Sequence, residues 1–288
     1  MSNPEVSELS FYPIKGAAAT HVDEVTFTEL GIQYDREWIV CDPDGGFMSQ
    51  RKEPQLAVVK PTIIDGTLVV NAPSMETLAV DLETKGKEKP ISFFKKAGTG
   101  QFQGSEAAAW FSEYLGKDAE LFRVAQSRTV KQECQVDGAT TQVGFADGFP
   151  LLVVSEASLA ELNTHMSDPI PIDRFRGNIV VSGEELDAYD EDYWREVRIG
   201  NLTVFIVRAC ARCPVPNTDQ STGERSELVV TKALKETRRG IDPLNGKRGD
   251  FFGQNGVHKF EPGTTIAVGD EVTIVKRDET RNVDLAHL

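Results

Sequence analysis

Cys210-Ala-Arg-Cys213 is the first place in this chain where side chains of reactive type stand at a chemically useful spacing. An arginine beside a cysteine favours the thiolate, which is both the nucleophile and the soft-metal ligand. Pro214 and Pro216 follow, so neither helix nor regular strand continues, and the second sulfur sits on a stiff loop. Four readings fit the pair: a dithiol switch, half of a zinc site, a packed structural pair, or one functional thiolate at Cys213 with Cys210 packed at a strand end. Zinc lacks two further ligands. Cys41 and Cys134 fall in unrelated contexts, and none of His21, His165, His258 and His287 has ligand spacing to a partner. A thioredoxin-like pair belongs at a helix start, where this chain has prolines.

Cations form the second group. Arg174-Phe-Arg176-Gly-Asn178 precedes the apolar Ile179-Val-Val. If the segment is extended, alternate side chains point the same way and both guanidinium groups can converge on one anion; otherwise they are solvated charges at a strand entry. Lys15 and Arg36 each follow an apolar stretch, and each by itself reads as a surface charge. Asp147, in Asp-Gly-Phe-Pro150, is a turn residue whose carboxylate can bond nearby backbone, with a role as proton donor as the alternative. There is no Walker loop, dinucleotide fingerprint or serine elbow.

The elements that must position these groups are mostly strands. Over the first hundred residues, short β-branched runs alternate with turn signals such as Asp42-Pro-Asp-Gly-Gly46 and Asp65-Gly66, which predicts a β-barrel or sandwich. Residues 6–13 read as its first strand. Helices are predicted from Ser105 to Leu115, stopping at Gly116, over 156–163 with Ser155 as cap, and over 227–238. The region 127–143 reads as a connector. Thr264–Val268 and Glu271–Val275 read as a pair joined by Gly269-Asp270, and residues 279–288 as a frayed tail. The fold class is α+β, mostly β, with domains over 1–122 and 123–279 and a tail over 280–288.

Charge narrows the partners. The 288-residue chain has a formal net charge of −14, which argues against general binding to nucleic acid or an anionic membrane. An anionic ligand would need a local cluster of Lys and Arg. Four cysteines are too few to suggest a disulfide scaffold. The start, Met-Ser-Asn-Pro-Glu-Val, lacks the features of a signal peptide, and no apolar run approaches the roughly 20 residues that span a bilayer. A soluble, cytoplasmic protein is expected.

A set of ordered motifs then resembles a known family. Phe11-Tyr-Pro-Ile-Lys15, Asp35-Arg36-x-Trp38, Arg51-x-Glu53-Pro54, Phe145-Ala-Asp-Gly-x-Pro150, Arg174-Phe-Arg-x-Asn178, Cys210-x-Arg-Cys213, Phe252-Gly-Gln254 and Val268-Gly-Asp270 occur in sequence. Together they resemble MOSC-domain proteins with an N-terminal MOSC β-barrel, in particular the mitochondrial amidoxime-reducing component and bacterial MOSC reductases of N-hydroxylated bases. The resemblance implies a barrel-like domain followed by a MOSC β-barrel domain with a few helices, and a molybdenum cofactor in the cleft between them. It implies a molybdopterin whose molybdenum is bound by Cys213, with Lys15, Arg36, Arg176, Asn178 and Arg212 holding the pterin and its phosphate. Gly148 and Phe149 stand where the animal proteins have small hydroxyl residues, so a contact there would use backbone N–H groups. The implied reaction is reduction of a small N-hydroxylated substrate (hydroxylamine, amidoxime or N-hydroxylated base). Electrons would come from a separate flavoprotein, ferredoxin or cytochrome b5 type donor, because the iron–sulfur cysteine set of some bacterial relatives is missing. A cofactor carrier or store, and sulfur transfer through a Cys213 persulfide, are the alternatives.

Overall fold

The computed structural model describes residues 3–225 and 228–285. Its largest sheet runs in the order Val272–Arg277, Trp194–Ile199, Leu202–Ala211, Arg248–His258, Leu151–Ser155, Ile179–Ser182, Glu5–Phe11, Thr20–Val22. Most neighbours are antiparallel, as the hairpin at Gly200-Asn201 dictates; Gly200 takes φ +52°, which glycine adopts without steric cost. Leu151–Ser155 and Ile179–Ser182 are parallel, and the helix Glu156–Asn163 lies on the connection between them. Ser155 occupies the cap position of that helix as expected, but its side chain makes no capping bond.

The first strand, Glu5–Phe11, pairs antiparallel with Ile179–Ser182 of the second half, Leu9 opposite Ile179. Local sequence pattern identifies the strand but not its partner. Its apolar residues Val6, Leu9 and Phe11 complete a core with Ile179, Val181, Trp194 and Val204. The chain therefore passes through the second half's sheet before it builds its own. That second sheet has the order Glu88–Phe93, Lys96–Phe102, Glu120–Gln126, Trp38–Cys41, Ile14–Lys15. Lys15, which by itself read as a surface charge, is thus the end of a short parallel strand whose partner is Ile39.

The helix Ser105–Leu115 buries Ala107, Trp110, Phe111 and Leu115, a one-sided spacing, and ends on Gly116 in the left-handed conformation. Three further expectations change. Thr265–Ala267 pairs with Glu24–Thr28, while Val272–Arg277 pairs with Trp194–Ile199, so the two strands flanking Gly269-Asp270 do not form a hairpin. The last helix is Val229–Thr237; Glu227, included in the expected range, lies outside the described residues. The tail read as frayed is anchored as far as Leu285. Val283 is buried, the Asn282 backbone N–H donates to the Asp192 carbonyl, and Asp284–Leu285 pairs with Arg239–Ile241. Residues 286–288 lie outside the described residues. Among the described residues, no helix is long and apolar enough to cross a membrane.

Candidate active site

Cys213 is placed by the end of the strand Leu202–Ala211. The Arg212 backbone N–H still donates to the Asp250 carbonyl at 2.7 Å; the chain then turns away through Pro214 into the short 3-10 turn Val215–Asn217. Both cysteines are free and partly exposed. The arginine beside them acts on the other sulfur from the one expected: Arg212 Nη1 donates to Cys210 Sγ at 3.0 Å, and Nη2 donates to the Phe175 carbonyl at 2.7 Å. Its Nε is buried without a partner.

The segment before the strand Ile179–Ser182 is not extended. Ile172–Phe175 is a 3-10 turn closed by Arg176 in the left-handed conformation, at φ +55°. Phe175 stacks on Phe252 with ring centroids 3.8 Å apart, which fixes the turn to the core. The two arginines therefore diverge. Arg174 binds the Asp219 carboxylate at 2.6 Å and lies off the cleft, whereas Arg176 enters it. Convergence of the two on one anion is thus corrected, because the twist of the turn breaks the alternation that an extended segment would give.

Arg176 meets Arg36 across the ring of Tyr12. Their guanidinium carbons lie 4.2 Å and 4.4 Å from the ring centroid. Arg36 Nη1 donates to the Asp35 carboxylate at 2.6 Å and to Asn178 Oδ1 at 2.9 Å. Asn178 also accepts from the Leu152 N–H and donates to the Ser10 carbonyl, so its amide joins the halves of the molecule and holds Arg36. Burial raises the Tyr12 hydroxyl to about 12, and that hydroxyl donates to the Gly177 carbonyl. Burial, followed by the neighbouring Arg36, lowers Arg176 from the usual guanidinium range to about 10.

Lys15 is buried, and burial lowers its ammonium below the usual lysine range even though Asp147 pairs with it. The Asp147 side chain is 66% exposed, and the Lys15 ammonium, with Lys96 and Arg36 adding, holds its carboxyl down at about 2. It is an anion at neutral pH, which does not suit the proton-donor role considered from the sequence. Arg128 fixes the loop that carries it by donating to the carbonyls of Gly144 and Ala146. A Cβ on Gly148 would meet only Lys96 Nζ, 3.8 Å away, so the backbone there faces open cleft.

Lys15, Arg36, Asp147, Gly148, Phe149, Arg176, Asn178, Arg212 and Cys213 all line one cleft, with about 990 Å³ of empty space including its open mouth. The sequence reading did not single out Tyr12, Lys96, Arg128, or the wall formed by Phe47, Gln50, Arg51 and Phe94. Tyr12 stood inside a quoted motif. So did Arg51, in Arg51-x-Glu53-Pro54; the others had no local signal, because they become neighbours only through strand pairing. Among the described residues, no group of three or more His, Cys, Asp or Glu side chains could hold a metal ion between them, so any metal here needs a ligand of its own.

The cleft between the two sheets, with a cysteine on one side and cations from both halves, belongs to a defined class. Residues 3–118 match the family described as the MOSC N-terminal beta barrel domain, and residues 140–273 match the MOSC domain. The chain belongs to this family of proteins with a MOSC N-terminal barrel and a MOSC domain. Within it, the chain is 36% identical over 282 residues to mitochondrial amidoxime reducing component 2 of Bos taurus, covering 93% of this chain and 82% of the relative. It is 33% identical to the Homo sapiens component 2 at the same coverage. It is 30% identical to the Homo sapiens component 1 over 286 residues, covering 94% and 82%. Those relatives are named as mitochondrial; nothing in the comparisons places this chain in the cytoplasm, as the sequence reading expected.

Proposed function

We propose that this chain is a reductase of N-hydroxylated compounds that carries a molybdenum-bearing pterin in the cleft, with the Cys213 thiolate as the protein's ligand to the metal. The observation that carries the proposal is the arrival of Lys15, Arg36 and Arg176 from distant parts of the sequence in the cavity that also contains Cys213. The names of the relatives, amidoxime reducing components, support the choice of reaction.

The residues present fit an anionic group whose metal accepts a thiolate ligand. Arg212 has a buried Nε without a partner, and Lys15 and Arg176 both have their charged forms disfavoured by burial. Cationic groups held this way are best satisfied by an anion that enters the cleft with them. Lys15, Arg36, Arg176 and Arg212 would hold the anionic parts of the group. Asn178 keeps Arg36 aimed, Gly148 and Phe149 offer backbone N–H groups, and Cys213 offers the soft sulfur donor. When bound, the cofactor supplies two-electron chemistry at a centre able to take up an oxygen atom.

Conversion of an N-hydroxyl group to N–H and water consumes two electrons and two protons. The electrons come from a separate donor protein of flavoprotein, ferredoxin or cytochrome b5 type. The ionised Asp147 pairs with the Lys15 ammonium, which is the proton-bearing member of that pair. The test is turnover: cofactor-loaded protein with reduced viologen as electron source converts benzamidoxime to benzamidine. Full cofactor occupancy without turnover would instead identify a carrier or store. Added sulfur on Cys213 without molybdenum, read by mass spectrometry, would identify sulfur transfer.

A further inference from the structure

Phe94 is costly where it stands. It occupies the first position of the two-residue turn between Glu88–Phe93 and Lys96–Phe102, with Phe93 paired to Lys96. Its φ is +57°, a conformation that suits glycine and that a bulky residue adopts only at a steric cost. The residue is also 49% exposed, so burial does not offset the strain. Folding alone would favour glycine here.

The ring is nevertheless held firmly. Phe47 meets it edge-on at 5.8 Å, and the Arg51 guanidinium lies 4.3 Å from its centroid. The segment carrying Phe47 is tied to the same hairpin: the Phe47 N–H donates to the Ser92 carbonyl at 2.9 Å, and the Ser92 N–H to the Gly45 carbonyl at 2.8 Å. Phe47, Arg51 and Phe94 all line the cleft that contains Cys213. An aromatic ring carried on a backbone in the left-handed region, half-exposed and braced on one side, beside the cleft that contains Cys213, can offer its free face to a flat ligand.

We infer that Phe94, braced by Phe47 and Arg51, is a specificity-determining wall that stacks on the ring of aromatic N-hydroxylated substrates. It therefore favours aryl amidoximes and N-hydroxylated heterocyclic bases over their aliphatic counterparts. The inference rests on the reductase reading and names the substrate class of the same site.

The experiment compares benzamidoxime with acetamidoxime on the cofactor-loaded protein, with reduced viologen as electron source. The measured quantity is the ratio of the two kcat/KM values. In Phe94→Ala this ratio is expected to fall by about 5- to 30-fold, the equivalent of roughly 1–2 kcal/mol of ring stacking, mainly through a higher KM for benzamidoxime. Phe94→Tyr is expected to keep it. Phe94→Gly, which suits the backbone of the turn, is expected to lose it as Phe94→Ala does, so altered turn geometry cannot account for the change. An unchanged ratio in the alanine and glycine variants, with both substrates still turned over, overturns the inference and leaves the reductase reading standing. A loss of bound molybdenum in these variants also overturns it, because the ring would then belong to the cofactor's wall. No turnover of either amidoxime by the wild type at full occupancy overturns the reductase reading and this inference with it.

Discussion

Arg176→Met is expected to make the cofactor-free protein more stable while weakening cofactor retention. Arg176 is held against its preference: a guanidinium lowered from its ordinary value to about 10 carries a bias against the charged form of about 3 kcal/mol. Against that stands its 2.9 Å bond to Gln220, about 1 kcal/mol; the favourable influence of Tyr12 is already contained in the lowered value. Methionine keeps the apolar stem and removes the charge, so the balance favours the variant by about 2 kcal/mol, or roughly 4 °C in Tm for a chain of this size. With cofactor bound, the order reverses, because only the arginine gains a charged partner. The assay is thermal unfolding of both proteins, each with and without cofactor. A cofactor-free Arg176→Met that melts several degrees below the wild type would refute the reasoning. Arg176 would then be a satisfied structural cation and not one waiting for an anion.

Two further outcomes follow from the charges. Glu191 is fully buried with Ser158 as its hydroxyl partner; burial, then the adjacent Asp192, raises its carboxyl from 4.5 to about 7. Its contribution to stability is therefore fully present below about pH 4.5 and is lost as pH rises through about 7. Glu191→Gln should gain on the wild type by up to about 3 kcal/mol across that window in urea unfolding; a difference independent of pH would show that Glu191 does not titrate there. Asp147→Asn should retain turnover within about tenfold, since an ionised carboxylate supplies no proton; a loss of the 10²–10⁴-fold that acid catalysis contributes would restore it as the proton donor.

Where local pattern decides the structure, the sequence was readable. Ser105–Leu115 has helix formers on one face and a glycine stop, and the Gly200-Asn201 turn can join only antiparallel neighbours. Partner choice was not readable. Nothing in Val6, Leu9 and Phe11 says that they complete the sheet of the other half, and nothing around Gly269 says that the strands flanking it separate. The divergence of Arg174 and Arg176 depends on one left-handed residue that is not glycine, which residue type does not announce. The cations of the cleft could be grouped in advance only through family resemblance, because each is a lone charge beside an apolar strand. Phe94 escaped even that: its meaning lies in being strained and exposed, which only coordinates reveal.

The most direct test of the central claim is the molybdenum content of purified protein loaded with cofactor, comparing wild type with Cys213→Ala and Cys210→Ala. Close to one molybdenum per chain is expected for the wild type and for Cys210→Ala, with the metal lost in Cys213→Ala. Equal molybdenum in all three proteins would contradict a metal held by the Cys213 sulfur.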